Sequence, residues 1–240
     1  MFITNINFGR FTMKSKKTFY TEIAFAIGIF ILAVGTAFME KADFGMSMIV
    51  VPSYLIHLIV SKYLPFFSFG VSEYLFQAFL LIALSVAMRK VKKSYLLSFI
   101  TAFVYGVLLD LSIGVMGHIS CEGIVLRVIF FLIGMLCCTC GVSLVFHSYL
   151  PPEAYEMLVK EVSIKYGFNI GKVKTFYDCC SCLLGIILSF VFFGFGTFVG
   201  IGWGTVICAV ANGFIISTIS KILDNTFVFK DGLNLKNKLN

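Results

Sequence analysis

The sequence predicts an all-α membrane protein: six transmembrane helices arranged as two inverted three-helix repeats, with a short re-entrant or interfacial helix in each. Three observations carry this. The chain is 59% hydrophobic and 13% charged, where a soluble domain runs at about a quarter charged. Its apolar residues come in six blocks, near 20–39, 69–88, 95–116, 124–147, 173–193 and 199–220. Each approaches or exceeds the roughly 17–25 residues needed to cross a bilayer. The arrangement also recurs. A long span, a short segment ending in Phe67-Ser68-Phe69-Gly70 and two more spans appear before residue 117; the same order follows residue 123, with Phe168-Asn169-Ile170-Gly171 in the matching place. Three spans per unit is an odd number, so the second unit must lie upside down relative to the first.

Backbone amides in hydrocarbon need internal partners, which makes the blocks helices; no alternating strands of a barrel are visible. The expected organisation is a basic segment at 1–18, one three-helix unit at 19–117, a second at 124–222 and a tail at 223–240. The first block has a basic start and small residues at Gly35-Thr36-Ala37, as a signal peptide does. Its core exceeds the roughly 7–15 apolar residues of such peptides, and Glu22 intrudes before it, so it reads as a retained helix. After it, residues 46–60 are almost wholly apolar, too short to cross and interrupted by Pro52. They suit a re-entrant or interfacial helix, with Asp43 placed to cap its N-terminus; a plain connector is the alternative. In the second unit Pro151-Pro152-Glu153 opens a helix in which Tyr155, Leu158, Val159 and Val162 alternate with Glu156, Lys160 and Glu161. That pattern predicts an amphipathic helix on the membrane surface.

Charge placement orients the chain. Arg10, Lys14, Lys16 and Lys17 precede the first span; Arg89, Lys90, Lys92 and Lys93 join the second and third. Lys160, Lys165, Lys172 and Lys174 lie between the fourth and fifth, and Lys221, Lys230, Lys236 and Lys238 follow the sixth. The other side receives Lys41, Lys62 and Arg127. Basic residues collect on the cytoplasmic face, so both termini are expected there. The net charge of +7 is then a topology signal rather than a nucleic-acid surface.

Polar groups at membrane depth are the candidate chemistry, because an intramembrane charge costs about 2.5–3.5 kcal/mol on insertion scales and needs a partner or a cavity. Asp110 lies within the third span. Aligning Gly70 with Gly171 sets Glu73 opposite Lys174 and Gln77 opposite Asp178. Each pair is i,i+4 on one helix face, and inverted units would bring both toward the pseudo-twofold axis. Asn212 joins these as a candidate substrate-binding residue. Snorkelling to headgroups is the competing reading. Asp43, Gly45, Gly70 and Gly171 are expected to shape structural loops.

Gly28 and Gly35, Gly106 and Gly114, Gly134 and Gly141 recur at about two helical turns and predict close helix packing. The run from Gly194 to Gly204 lacks the Lys-Ser/Thr of a phosphate loop. Cys137, Cys138 and Cys140 lie in the fourth span and Cys179, Cys180 and Cys182 in the fifth. Of these, Cys137, Cys140, Cys179 and Cys182 are thiolates that could meet around a soft metal; small buried hydrophobes are the plainer reading. No metal or other cofactor is expected. His57, His118 and His147 belong to no catalytic pattern, and no enzymatic activity is expected.

Several short motifs also resemble a family. Gly35-Thr36-Ala37-Phe38-Met39-Glu40-Lys41-Ala42-Asp43-Phe44-Gly45-Met46-Ser47 is similar to the stretch after the first helix of the bacterial YczE/YyaS/YitT family of integral membrane proteins. Phe67-Ser68-Phe69-Gly70 resembles its glycine turn, and Tyr105-Gly106-Val107-Leu108-Leu109-Asp110 the glycine and aspartate of its third helix. Phe168-Asn169-Ile170-Gly171 and Gly202-Trp203-Gly204-Thr205, leading to Asn212-Gly213, echo them in the second unit. The likeness spans roughly residues 20–222. It departs at His147-Ser148-Tyr149-Leu150, where the first unit has its acidic loop, and at Ser217, which replaces Asp110. The resemblance implies a membrane protein of undefined biochemistry, with transport as the usual expectation.

The expected function is therefore that of a small-solute transporter or permease with its site between the repeats. Two alternatives are a solute-binding membrane subunit of a larger transport complex and a non-transporting scaffold or regulator. Expected partners are the lipid bilayer, a small-molecule substrate and an oligomeric or partner membrane subunit, with no nucleic acid.

Overall fold

The computed structural model describes residues 17–90, 92–168 and 170–233. Arg10, Lys14, Lys16, Lys236 and Lys238 of the charge pattern, and Asn169 of the second glycine motif, lie outside them. In chain order the described residues form β1 (Lys17–Tyr20), α1 (Thr21–Ala42), α2 (Val51–Val60), α3 (Phe69–Met88) and α4 (Lys93–Gly117). There follow α5 (Ile124–Phe146), α6 (Ala154–Tyr166), α7 (Ile170–Phe193), α8 (Trp203–Thr226) and β2 (Phe227–Lys230). Six of these helices are long and apolar enough to span a membrane. At about 1.5 Å per residue, helices of 20–25 residues reach roughly 30–37 Å, the thickness of a hydrocarbon core. The first five lie within three residues of the expected blocks at each end, and the sixth begins four residues and ends six residues later than expected.

Local chemistry sets the ends. Ser68 caps α3 by accepting the Val71 N–H at 3.2 Å. Asp43 stops α1 in a left-handed conformation, and Gly167 does so for α6. Asp43 was expected to cap the next helix; instead its carboxylate accepts from Arg127 at 2.9 Å, and α2 opens uncapped at Val51, with Pro52 in its first turn. Proline starts this helix rather than breaking it, since a first-turn residue needs no N–H partner.

Helices α1 and α5 form the centre, with half or more of their span residues buried (50% and 56%), against 11% for α8. They pack antiparallel, glycine to glycine. A Cβ on Gly28 would stand 2.9 Å from the Gly141 carbonyl oxygen, and one on Gly35 2.8 Å from that of Gly134. Without a hydrophobic drive between helices in lipid, such close backbone approach is what holds the pair. Gly70 and Gly106 make the same approach between α3 and α4. Outward faces are apolar: Phe79, Val86, Leu111, Phe176, Val210 and Phe214 are exposed, as lipid contact requires.

The loop after α1 folds inward onto the start of α8. The Met46 N–H donates to the Gly200 carbonyl at 3.0 Å, and the Gly204 N–H to that of Phe44 at 2.9 Å. Gly45 sits there at φ +96° with Gly202 and Thr205 against it, where a side chain would be both strained and excluded.

Helix α6 differs from the expected surface helix. Ala154, Tyr155, Glu156, Met157 and Val159 are buried, and the helix packs against α3, α4 and α7. Only its second half, with Ile164 and Tyr166, is exposed. Glu156 sits on the pattern's polar face, yet that position is buried because α7 supplies it with a cation. The strands, unexpected from the sequence, form a parallel ladder pairing Lys17 with Phe227 and Tyr20 with Lys230. They place the start of α1 and the end of α8 at the same end of the bundle, called the terminal end below.

Candidate functional site

Both short helices begin inside the bundle and run outward to opposite ends. Around the start of α2, Met48, Val50, Val51, Ser53 and Leu55 are buried, and α2 packs between α3 and α7. Around the start of α6, the carbonyls of Pro151 and Pro152 are held by Thr101 and Ser98 of α4, at 3.1 and 2.7 Å. Pro52 preorganises the interior first turn of α2, Pro151 and Pro152 precede the Glu153 N-cap of α6, and hydroxyls from neighbouring spans supply donors that lipid cannot.

A continuous polar network connects the two starts. Ser53 Oγ donates to Glu73 Oε2 of α3, and Ser72 Oγ donates to the Ser53 carbonyl at 2.6 Å. One turn further along α3, Gln77 Nε2 donates to Glu73 Oε1 at 3.3 Å and to Glu153 Oε2 at 3.0 Å. Gln77 Oε1 accepts the Ala154 N–H at 3.0 Å. On the other flank Lys174 Nζ reaches Glu156 Oε1 at 3.1 Å and Asp178 Oδ1 at 3.3 Å. Glu73, Gln77, Glu153, Glu156, Lys174 and Asp178 are all buried. The network holds four carboxylates and one ammonium group.

Beside it lies a cavity of about 30 Å³, lined by Thr36, Ser47, Tyr105, Glu153, Glu156, Lys174, Asp178 and Asn212 among others. That is room for one or two waters. Tyr105 and Thr36 share a hydrogen bond at 2.9 Å on its far wall. Burial, with the Glu156 and Glu73 carboxylates adding like charge, pushes the Glu153 carboxyl well above the usual range.

Glu73, Gln77, Lys174 and Asp178 lie in one region of the bundle, with Asn212 on the same cavity as the last two. They meet through α6 rather than directly, and Glu153 and Glu156, the residues that join them, were not among the expected site residues. Their signal was present: two carboxylates flanking Ala154 and Tyr155 in a segment with two prolines before it. Asp110 is elsewhere. Its carboxylate accepts the Gly70 N–H at 2.7 Å and the Ser68 hydroxyl at 2.5 Å, completing the α3 N-terminus and anchoring α4 to it. It lines a separate open cleft with Glu40, Tyr54 and His57. Gly171 accepts from Thr175 Oγ1 at 3.0 Å in the first turn of α7.

The cysteine clusters do not meet. Cys138 is buried against α1, near Thr36 and Leu32, whereas Cys179 and Cys180 are exposed. Among the described residues, no group of three or more His, Cys, Asp or Glu side chains is placed to hold a metal ion.

Residues 19–221 match the model of a family described as a family of unknown function, DUF6198. Comparison with the curated proteins and with the solved structures finds no match.

Proposed function

The chain belongs to the DUF6198 family, and from that premise we propose that it carries a small solute across the membrane through the cavity between its two halves. The observation that carries this is the convergence of α2 and α6. Each half contributes one short helix starting in the interior, and polar groups from both halves line one cavity. Discontinuous helices that start at membrane depth are where secondary transporters bind.

The halves read as inverted repeats. Gly28 lies against Gly141 and Gly35 against Gly134, the reciprocal pairing that two like helices make across a twofold axis. Basic residues crowd the terminal end: Arg89, Lys90, Lys92, Lys160, Lys165, Lys221 and Lys230. This supports a bacterial plasma-membrane protein with both termini in the cytoplasm. The likeness to YczE/YyaS/YitT proteins supports the same assignment. A carrier is favoured over an enzyme because no histidine lines this cavity: His57 meets the Phe67 carbonyl at 2.9 Å, and His147 the Ser143 carbonyl at 2.6 Å and Asp224 Oδ1 at 3.1 Å.

The test is solute flux in liposomes, comparing wild type with Asp178→Asn and with Asp110→Asn. Flux lost in the first and kept in the second supports the reading. Binding of a solute without flux favours a subunit of a larger complex. Neither binding nor flux across a broad solute panel favours a scaffold.

A further inference from the structure

We infer that the central cavity is a binding site for one small monovalent cation, ammonium or an alkali ion, held by Glu153 Oε1, Asp178 Oδ1 and Asn212 Oδ1. The inference rests on the carrier reading for its purpose, but on independent observations for its chemistry.

The first observation is the sign of the unmet hydrogen bonding. Among the described residues, the buried side-chain atoms that line this cavity and lack a hydrogen-bond partner are Glu153 Oε1, Asp178 Oδ1 and Asn212 Oδ1. All three are acceptors, and their residues are 3%, 1% and 8% exposed. A buried polar group left without a partner is costly. A site with only acceptors spare is completed by a donor or a cation, and would repel an anion.

The second observation is charge. Glu153, Glu156 and Asp178 line the cavity with a single Lys174, whose ammonium is hydrogen-bonded to Glu156. It is also ion-paired with Asp178 Oδ1 at 3.3 Å, so that oxygen would be shared between Lys174 and an ion in the cavity. Buried carboxylates in excess of their cations either bind protons or bind a positive ion. A proton on Glu153 would satisfy that carboxyl and leave Asn212 Oδ1 unmet, whereas an ion in the cavity can draw on the acceptors of all three residues that line it. Proton and cation compete for Glu153 Oε1, with Glu73, Glu156, Lys174 and Tyr105 as the other titratable neighbours.

The third observation is size. About 30 Å³ admits one or two particles the size of water, which suits a dehydrated ammonium, sodium or potassium ion. A hydrated divalent ion or an organic amine is too large.

The test uses the full chain, purified in detergent, and reads thermal unfolding in ammonium, sodium and potassium chloride at constant ionic strength against N-methylglucamine chloride. At least one of the small ions is expected to raise Tm saturably, as a ligand of the folded state must. Glu153→Gln and Asn212→Leu are each expected to weaken that response about tenfold, a typical site-coupling effect, while Asp43→Asn keeps it. Calorimetric titration of wild type with the same salts covers the case in which a variant fails to fold. No saturable response to any of the three ions, or a response unchanged in both cavity variants, overturns the inference and leaves only water in the cavity. Binding is read without flux, so the two proposals fail separately. A cation response without transport sinks the carrier reading alone, and transport without a cation response sinks the cation site alone.

Discussion

Gln77 of α3 holds the start of α6: its Nε2 donates to Glu153 Oε2 at 3.0 Å, and its Oε1 accepts the Ala154 N–H at 3.0 Å. One amide from the first half of the chain thereby closes a helix terminus of the second. The same Nε2 also reaches Glu73 at 3.3 Å, so its loss propagates to the start of α2.

Replacing Gln77 by leucine is therefore expected to leave a buried carboxylate and a buried N–H unpaired. At about 1–3 kcal/mol for each unsatisfied group, the protein should lose several degrees of Tm in detergent. An unchanged Tm would mean that α6 is positioned without this contact.

The Lys174 ammonium should behave as the partner of a buried pair. Lys174→Met leaves Glu156 and Asp178 without their cation, a loss of about 3–5 kcal/mol for one-sided removal. Adding Glu156→Gln should recover part of it, and a double-mutant cycle measures the coupling. Additive losses would show that the two side chains do not interact.

Gly35 and Gly114 make a contrast on helix packing. Gly35→Val pushes a side chain into the Gly134 carbonyl and Cys138 and should prevent the α1–α5 contact, read as loss of monodisperse protein. A methyl group added at Gly114 would meet nothing within 4 Å, so Gly114→Ala should be neutral or stabilise by up to about 1 kcal/mol.

Asp110 is expected to be structural. Asp110→Asn weakens the contacts to Gly70 and Ser68, costing about 1 kcal/mol as a lost cap does, with flux close to wild type. Asp178→Asn should leave the fold intact and reduce flux by about tenfold or more, the effect of about 1.4 kcal/mol. The reverse ranking would move the site to the cleft at the far end.

Glu153 sets a pH dependence. Its folded-state carboxyl titrates well above the ordinary range, through burial first and the charges of Glu156 and Glu73 after it. The folded protein thus binds this proton more tightly than the unfolded chain does. That contribution is complete below the ordinary value of about 4.3 and is lost as pH rises through the raised one. The groups around it are Glu73 and Gln77 from α3, Tyr105 from α4, Glu156 from α6, and Lys174 and Asp178 from α7. The Tm advantage of wild type over Glu153→Gln should shrink as pH rises above the ordinary carboxyl range; an advantage that grows with pH would contradict the assignment.

The six spans were legible in the sequence because crossing a bilayer demands about twenty apolar residues in a row, a condition written locally. Glycine spacing was legible for a similar reason: Gly28, Gly35, Gly134 and Gly141 sit two turns apart, and two turns return a residue to the same face. The alignment of Gly70 with Gly171 also brought Glu73, Gln77, Lys174 and Asp178 into consideration together.

Other features required the folded chain. Whether Asp43 caps forward or pairs sideways depends on Arg127, 84 residues away. Asp110, the most conspicuous intramembrane acid by sequence, completes a helix terminus, and that depends on where α4 crosses α3. Glu156 looks like part of a solvated face until α7 places Lys174 beside it. Length and hydropathy are properties of a segment and can be read along it. The partner of a buried charge is a property of two segments, decided only when packing excludes water from both, and that is why the membrane architecture was determined by the sequence itself and the polar centre by the tertiary structure.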